Sequence, residues 1–349
     1  VTSSDPEVLS VINNNLVRAV APGTATLTAE YNGHTATVEI TVTDEVPELR
    51  LDHRYSFDTD ANDSVGTAHG ELRNGATVAD GKLVLNPVSN ASEDAQYVKL
   101  PPGMMTPYMS ATIEIWAQSD NQTSSYNWSR FWEFGNSNGG EDVFDGGTQV
   151  FNCTPRGDVI LYSTLSTFYG MSSITSSGPV GGLNPAGRLV RGQEYHIVVV
   201  ADGINKTLSV YCNGALINTV AADFAPMDIG YTYNNLIGRS NWAADPGLYG
   251  KINEMRIWNG AMSQEDVFAS MASGPDQVID PTVPALENIT LTANKTTLYL
   301  NERLPISLQG EYADLDSVDI ISVAEVSTSD PNVITVIKND QVRAVGVGT

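Results

Sequence analysis

Two cysteines, four histidines and 18 basic side chains are few for 349 residues. Two cysteines cannot make a disulfide framework. His34, His53, His69 and His196 stand too far apart to form H-E-x-x-H or another zinc-ligand cluster. The 18 Lys and Arg face 41 Asp and Glu, for a formal net charge of −23. That excess rules out attraction to nucleic-acid phosphate or to an anionic membrane surface as the main business. No run of about 20 apolar residues occurs, so membrane insertion is not expected. No basic leader with an apolar stretch opens the chain, so no signal peptide is expected within it. There is no G-x-S-x-G elbow and no phosphate-cradling glycine loop.

Hydrophobic residues make up 41% of the chain, enough for packed cores. The acid excess is spread out: residues 1–48 hold one basic and seven acidic side chains, and residues 283–349 hold four and nine. No block of like charge stands out. A solvated acidic surface accounts for this, and carboxylates in excess also suit an environment rich in hard cations.

The ends of the chain repeat each other. TSSDPEVLSVINNNLVRAVAPGT (2–24) and STSDPNVITVIKNDQVRAVGVGT (327–349) align without a gap at an offset of 325, and 13 of the 23 positions are identical. The shared residues include Ser4, Asp5, Pro6, Val8, Val11, Ile12, Val17, Arg18, Ala19 and Val20, so the two ends are copies of one module type. After the first copy, apolar residues alternate through Ala25, Leu27, Ala29 and Tyr31. Asn32-Gly33 supplies a tight turn, and the alternation resumes at Ala36, Val38, Ile40 and Val42. This predicts a β-hairpin. The second copy has a long alternating lead-in from Leu286 to Tyr312 and ends where the hairpin would begin. The order S-x-D-P-x-V-x-x-V, turn, V-R-A-V-x-x-G-T-A-T-L-T-A, hairpin resembles the bacterial immunoglobulin-like group 2 domain. That resemblance implies partial β-sandwich modules at 1–46 and 283–349, of the kind strung along bacterial surface and phage virion proteins. The chain then reads as a window on a longer tandem protein, with self-association through these modules as one expectation.

Between them, residues 47–276 alternate in short runs broken by Gly, Asn, Asp and Pro. About 225 residues of this type predict one two-sheet sandwich, and a Ser N-cap with acids behind it predicts one helix over 263–271. The motifs that carry a further resemblance are LDHRYSF (51–57), GATVADGKLVL (75–85), YVKL (97–100), IEIW (113–116), RFWEFG (130–135), YHIVV (195–199), VYCNG (210–214), NLIGRSNW (235–242) and GKINEMRIW (250–258). In this order they resemble a laminin-G-like, concanavalin A-like lectin/glucanase domain of bacterial type. The resemblance implies an all-β fold, a central jelly roll of two antiparallel sheets. It also implies a mostly non-catalytic domain that binds glycans or proteins outside the cell, often with a calcium ion.

Glucanases of this fold carry E-x-D-x-x-E on one strand for glycoside hydrolysis. No such spacing occurs, and Glu114 and Glu133 stand alone in sequence, so no catalytic residue is expected. The resemblance places calcium ligands just after the first strand and in the last long strand. Here these are Asp58 and Asp63 with Asn253 and Glu254, a structural Ca2+ site weakened by asparagine at 253. The competing reading is a turn closed by its own Asx side chains. Trp116, Trp132 and Trp258 sit in strands and are expected in the core. Tyr126 and Trp128 lie in a polar loop, Tyr233 beside a turn and Trp242 before Ala-Ala-Asp-Pro. Sugar faces stack on such aromatics, so these four are the candidate ligand-binding residues. Cys153 and Cys212 are expected inside, either free or bridged.

Three functions compete on this reading. One is a glycan- or protein-binding module on an immunoglobulin-like stalk at a cell or virion surface. The second is a fibre or decoration subunit. The third is an ancillary region of a larger secreted glycan-active enzyme.

Overall fold

The computed structural model describes the chain except residues 14–15, 45–47, 90, 121–126, 147–148, 157–160, 168–169, 177–188, 279–285, 313–317, 322–323, 325, 339 and 349. The chain divides into two compact units, Val1–Glu48 and Leu49–Thr349. Among the described residues no helix is long and apolar enough to cross a membrane.

The first unit holds β1 (Thr2–Ser3), β2 (Leu9–Asn13), β3 (Leu16–Ala19), β4 (Gly23–Tyr31) and β5 (His34–Val42). β4 and β5 form the predicted hairpin, with every residue from Gly23 to Tyr31 paired. Its turn residues Asn32 and Gly33 both have positive φ, 51° and 80°, as a two-residue type I′ turn requires.

The second unit begins with β6 (Arg50–Tyr55), β7 (Glu71–Arg73), β8 (Thr77–Ala79), β9 (Lys82–Leu85), β10 (Tyr97–Leu100) and β11 (Ser110–Ser119). β12 (Trp132–Gly135), β13 (Val150–Pro155), β14 (Leu161–Ser166) and β15 (Met171–Ser176) follow. Then come β16 (Glu194–Asp202), β17 (Thr207–Cys212), β18 (Ala215–Ala221), β19 (Asn234–Ile237) and β20 (Gly250–Asn259). They make two antiparallel sheets. One runs β15-β14-β13-β12-β19-β10-β7, and the other runs β18-β17-β16-β11-β20-β9-β8 with β6 also on β20. The sheets stack as a jelly-roll sandwich around one core, which takes Phe134, Phe151, Leu161 and Leu165 from the first and Ile113, Ile115, Val199 and Val210 from the second. Period-two alternation decides which side chains enter it. Cys153 and Cys212 both lie in this core, free and buried. Trp132 packs there against Phe134 and Phe151, as expected.

The outer face of the eight-stranded sheet is covered. Helix α1 (Gln264–Ser273) begins on a capping box: the Ser263 hydroxyl accepts from Asp266 N, and the Asp266 carboxylate accepts from Ser263 N. Under the helix, Val267 and Met262 pack with Val198, Val200, Tyr211 and Trp258. Beside this layer runs a buried ion network. Glu114 meets His196 Nε2 at 2.8 Å, accepts from Trp258 Nε1 at 3.1 Å and lies 3.5 Å from Arg256 Nη1. Arg256 Nε and Arg54 Nε both donate to Glu254 Oε1, at 2.7 and 2.6 Å. Burial opposes ionisation of Glu114, but His196 and Arg256 outweigh it and hold the carboxyl below its usual range.

The C-terminal segment adds β21 (Leu286–Ala293), β22 (Arg303–Tyr312), β23 (Val318–Asp319), β24 (Ile334–Lys338) and β25 (Gln341–Ala344), in a sheet of order β21-β22-β25-β24 with β23 on β22. Its Leu308 and Ile320 pack against Phe268 of α1.

The sequence repeat is a structural repeat. β2 pairs β3 through Leu9–Ala19, Ser10–Arg18, Val11–Val17 and Asn13–Leu16. β24 pairs β25 through Ile334–Ala344, Thr335–Arg343, Val336–Val342 and Lys338–Gln341, every position shifted by 325 and with the irregularity at the same place. The lead-in turn repeats too: Asp5 Oδ1 accepts from Glu7 N at 3.0 Å, and Asp330 Oδ1 accepts from Asn332 N at 2.9 Å.

Candidate saccharide site

The outer face of the seven-stranded sheet is open only in part: the loops of Arg130 and Asn241 bond to Glu133 and bury it. Strand register lays a polar row across it. Lys99 pairs with Leu236, Leu236 with Glu133, Glu133 with Asn152, Asn152 with Thr164 and Thr164 with Ser173. These positions alternate with the core residues Val98, Trp132, Phe151, Cys153 and Leu165, so the pattern that fills the core also builds the row. Thr164 N donates to Asn152 Oδ1 at 3.2 Å, and Asn152 Nδ2 donates to Glu133 Oε2 at 3.3 Å. The Thr164 and Ser173 hydroxyls share a bond of 3.1 Å, and Tyr162 OH donates to Ser173 Oγ at 3.1 Å.

A pocket of about 360 Å³ opens over this floor, lined by Trp128, Arg130, Asn152, Tyr162, Trp242 and Asp245 among others. Arg130 is 4% exposed and organises it. Its Nε donates to Glu133 Oε2 at 2.6 Å and its Nη2 to Asp245 Oδ2 at 3.1 Å, while Nη1 donates to the carbonyl of Trp128. The guanidinium carbon lies 5.9 Å from the Trp128 ring centroid and 5.8 Å from that of Trp242. One buried cation thus lies within 6 Å of two indoles. Both rings reach solvent, Trp128 at 43% and Trp242 at 38% exposure. Tyr162 meets Trp128 edge to face at 5.7 Å.

The loop carrying Trp242 is fastened at several points. Asn241 N donates to Glu133 Oε1, Ser240 Oγ donates to Asp245 Oδ2 at 2.8 Å, and Trp242 N donates to Ser240 Oγ at 3.1 Å. Gly146 N reaches Asn241 O at 3.0 Å. Gly146 has φ of +94°, and a Cβ there would lie 2.9 Å from Trp242 Nε1, so both its conformation and the indole exclude a side chain.

The candidate residues read from sequence divide accordingly. Trp128 and Trp242 come together in the pocket. Tyr233 does not line it and packs edge-to-face on Tyr231 at 5.0 Å. Tyr126 lies outside the described residues. Arg130, Tyr162, Asn152 and Asp245 were missed. Asn152 and Tyr162 were legible as polar or amphipathic positions alternating with a core strand, but which loop reaches over them was not. Glu114 and Glu133, isolated in sequence, each sit in an ion network.

Three of the four expected calcium ligands, Asp63, Asn253 and Glu254, are bonded to protein partners. Asp63 receives His53 Nδ1 at 2.6 Å and the backbone N–H groups of Arg54, Val65, Gly66 and Ala68 at 2.9–3.1 Å. Burial alone would raise its pKa, but these donors hold the carboxyl below its ordinary value. Its lone pairs are filled by the protein. Glu254 is neutralised by two guanidiniums, and Asn253 Nδ2 donates to Glu194 Oε1 at 3.1 Å. Asp58 is exposed, and the nearby Asp60 closes on Asn62 as an Asx turn. Among the described residues no group of three or more His, Cys, Asp or Glu could hold a metal ion.

The profile of the Concanavalin A-like lectin/glucanases superfamily matches residues 92–268, which hold α1's first turns, most of both sheets and the whole pocket. No curated protein sequence matches the chain. Among solved structures, domain 4 of AbnA, a GH43 extracellular arabinanase from Geobacillus stearothermophilus in complex with arabinotriose, is similar at 21% identity. The match covers 64% of this chain and 98% of that one, with a TM-score of 0.48. The CBM40 of the Ruminococcus gnavus IT-sialidase bound to alpha2,3 sialyllactose is similar at 18% identity, over 46% of this chain and 81% of that one, with a TM-score of 0.37. The binding domain of Paraclostridial Mosquitocidal Protein 1 is similar at 12% identity, over 74% and 64%, with a TM-score of 0.47.

Proposed function

Since the chain belongs to the Concanavalin A-like lectin/glucanases superfamily, we propose that it is a non-catalytic saccharide-binding protein whose pocket lies on the outer face of the seven-stranded sheet. One observation carries this reading: two half-exposed indoles flank a buried guanidinium above a floor of amide and hydroxyl groups. Indole faces take the apolar face of a sugar ring, and the floor takes its hydroxyls. Glu133 and Asp245 are the acids nearest the pocket, and one guanidinium holds both, which is the arrangement of an ion pair that fixes a wall. The binding domain would work outside a cell or on a virion, carried by immunoglobulin-like modules at either end. The test is a glycan array with the whole chain, run with calcium and again with chelator. Binding in both conditions, lost on Trp128→Ala, supports the reading; no binding in either condition overturns it.

One observation favours a second reading, a fibre or decoration subunit: the same hairpin register recurs 325 residues apart, as in a serial array. Sedimentation at micromolar concentration separates the two. A monomer that binds glycans supports the first, and ordered assembly without glycan binding supports the second.

A further inference from the structure

Resting on the saccharide reading above, we infer that the pocket selects uncharged saccharides and rejects those carrying a carboxylate, such as sialic and uronic acids. Recognition of a carboxylate depends on a planar guanidinium fork with free donors. The guanidinium in the pocket wall is Arg130, and each of its three nitrogens already has an acceptor. Nε is held by Glu133, Nη2 by Asp245 and Nη1 by the carbonyl of Trp128. Two carboxylates therefore surround one cation at the pocket wall, and an incoming carboxylate meets excess negative charge.

Another cation near the pocket, among the described residues, is Arg156. Its guanidinium lies 4.7 Å from the Trp128 ring centroid and 5.7 Å from that of Tyr162, and it is not among the lining residues. It packs against both aromatic rings. Lys99, at the far end of the polar row, is paired with Glu141 and Asp142 at 2.7 and 2.6 Å.

What the pocket presents instead suits hydroxyl groups. Asp245 Oδ2 accepts from Arg130 and from Ser240, which places a carboxylate acceptor in the pocket wall. Thr164, Tyr162 and Asn152 add groups that both donate and accept. The wider field has the same sign, since the whole chain carries −23.

The experiment is a calorimetric titration of the whole chain against matched oligosaccharides that differ only by oxidation of a hydroxymethyl group to a carboxylate. Neutral and sialylated lactose provide a second pair. The neutral member of each pair is expected to bind at least tenfold more tightly at low salt. The gap should narrow as salt rises, because screening weakens the repulsion. Asp245→Asn, which removes one of the two negative charges around Arg130, should shift the ratio towards the acidic member. If the acidic member binds equally or better and that binding is lost in Trp128→Ala, the charge inference falls while the saccharide site stands. If neither member of any pair binds, or if binding survives Trp128→Ala together with Trp242→Ala, the site itself is wrong and both readings fall.

Discussion

The outer faces of the two sheets are built from the same residue types and end in opposite states. Each sets an arginine among carboxylates and tryptophans. On the eight-stranded sheet Arg256 lies between Glu114 and Glu254, 4.6 Å from the Trp116 ring, with Trp258 beside it. On the seven-stranded sheet Arg130 lies between Glu133 and Asp245, beside Trp128 and Trp242. The difference is the cover. Helix α1 and the 275–277 segment close over the first face, and Arg256 also donates to Ser270 Oγ and to the carbonyls of Pro275 and Gln277. Over the second the loops of Arg130 and Asn241 bury Glu133, but the indoles of Trp128 and Trp242 remain partly in water. An Arg–Glu–Trp cluster is therefore not by itself the mark of a site; the same chemistry makes a structural staple under α1 and leaves indole faces in solvent beside the pocket.

The comparison breaks most sharply under one substitution made on both faces. Trp258→Ala should cost about 3–5 kcal/mol, because the ring is buried and its Nε1 donor leaves Glu114 short of a partner. Trp128→Ala, at 43% exposure, should cost no more than about 1 kcal/mol. Urea unfolding of the two variants measures this directly. Equal losses would mean that the second face is also roofed in solution.

Acid distinguishes the faces next. The Glu114 carboxyl is held below its ordinary value in the folded state, against burial, by His196 and Arg256. A depressed carboxylate contributes stability that is present above the unfolded value of about 4.5 and is lost as pH falls below it. Glu114→Gln should cost roughly 2–3 kcal/mol at pH 7 and flatten the decline between pH 5 and 3. Asp63 contributes with the same sign, so the acid limb shrinks in that variant without vanishing. An unchanged acid limb would remove Glu114 from the account. Saccharide affinity, carried by the other face, should be the same in this variant.

The third measurement reads function alone. Trp128→Ala and Trp242→Ala should each weaken saccharide binding about tenfold, roughly 1.4 kcal/mol, with near-normal unfolding midpoints. Unchanged affinity in both would leave the open face without a ligand role.

How far the sequence carried this picture follows from what it encodes locally. The sandwich, α1 and the repeated hairpins were legible, because period-two alternation, a Ser N-cap and a 325-residue offset are local or self-similar signals. Trp128 and Trp242 were legible as aromatics with no packing reason in their loops. Their meeting across Arg130 was not, because 114 residues separate them and only the sheet order brings them together. The partners of the expected calcium ligands were hidden for a related reason. Asp63 has the right residue type after the first strand, but four backbone donors and His53 had already taken its oxygens, and spacing does not display hydrogen-bond partners. Tyr233 was chosen on exposure, and at 36% it is exposed, but its neighbour is Tyr231 and not the pocket.

The finest test asks how exactly the open face must be held. Gly146 sits at φ of +94° with the Trp242 indole against it. Gly146→Ala introduces a Cβ 2.9 Å from Nε1 and 3.1 Å from Cδ1, closer than such contacts allow, in a conformation that costs about 1 kcal/mol for a residue with a side chain. The ring is half exposed and can swing outwards, so the fold should survive with a loss of about 1 kcal/mol. The two indoles would then no longer bracket Arg130, and saccharide affinity should fall by a few-fold, less than on removing the ring. Calorimetry beside thermal unfolding reads both quantities. Affinity as low as that of Trp242→Ala would show that the ring contributes only in its present seat. Unchanged affinity would show that exposure of the indole suffices and that its placement over the guanidinium does not matter.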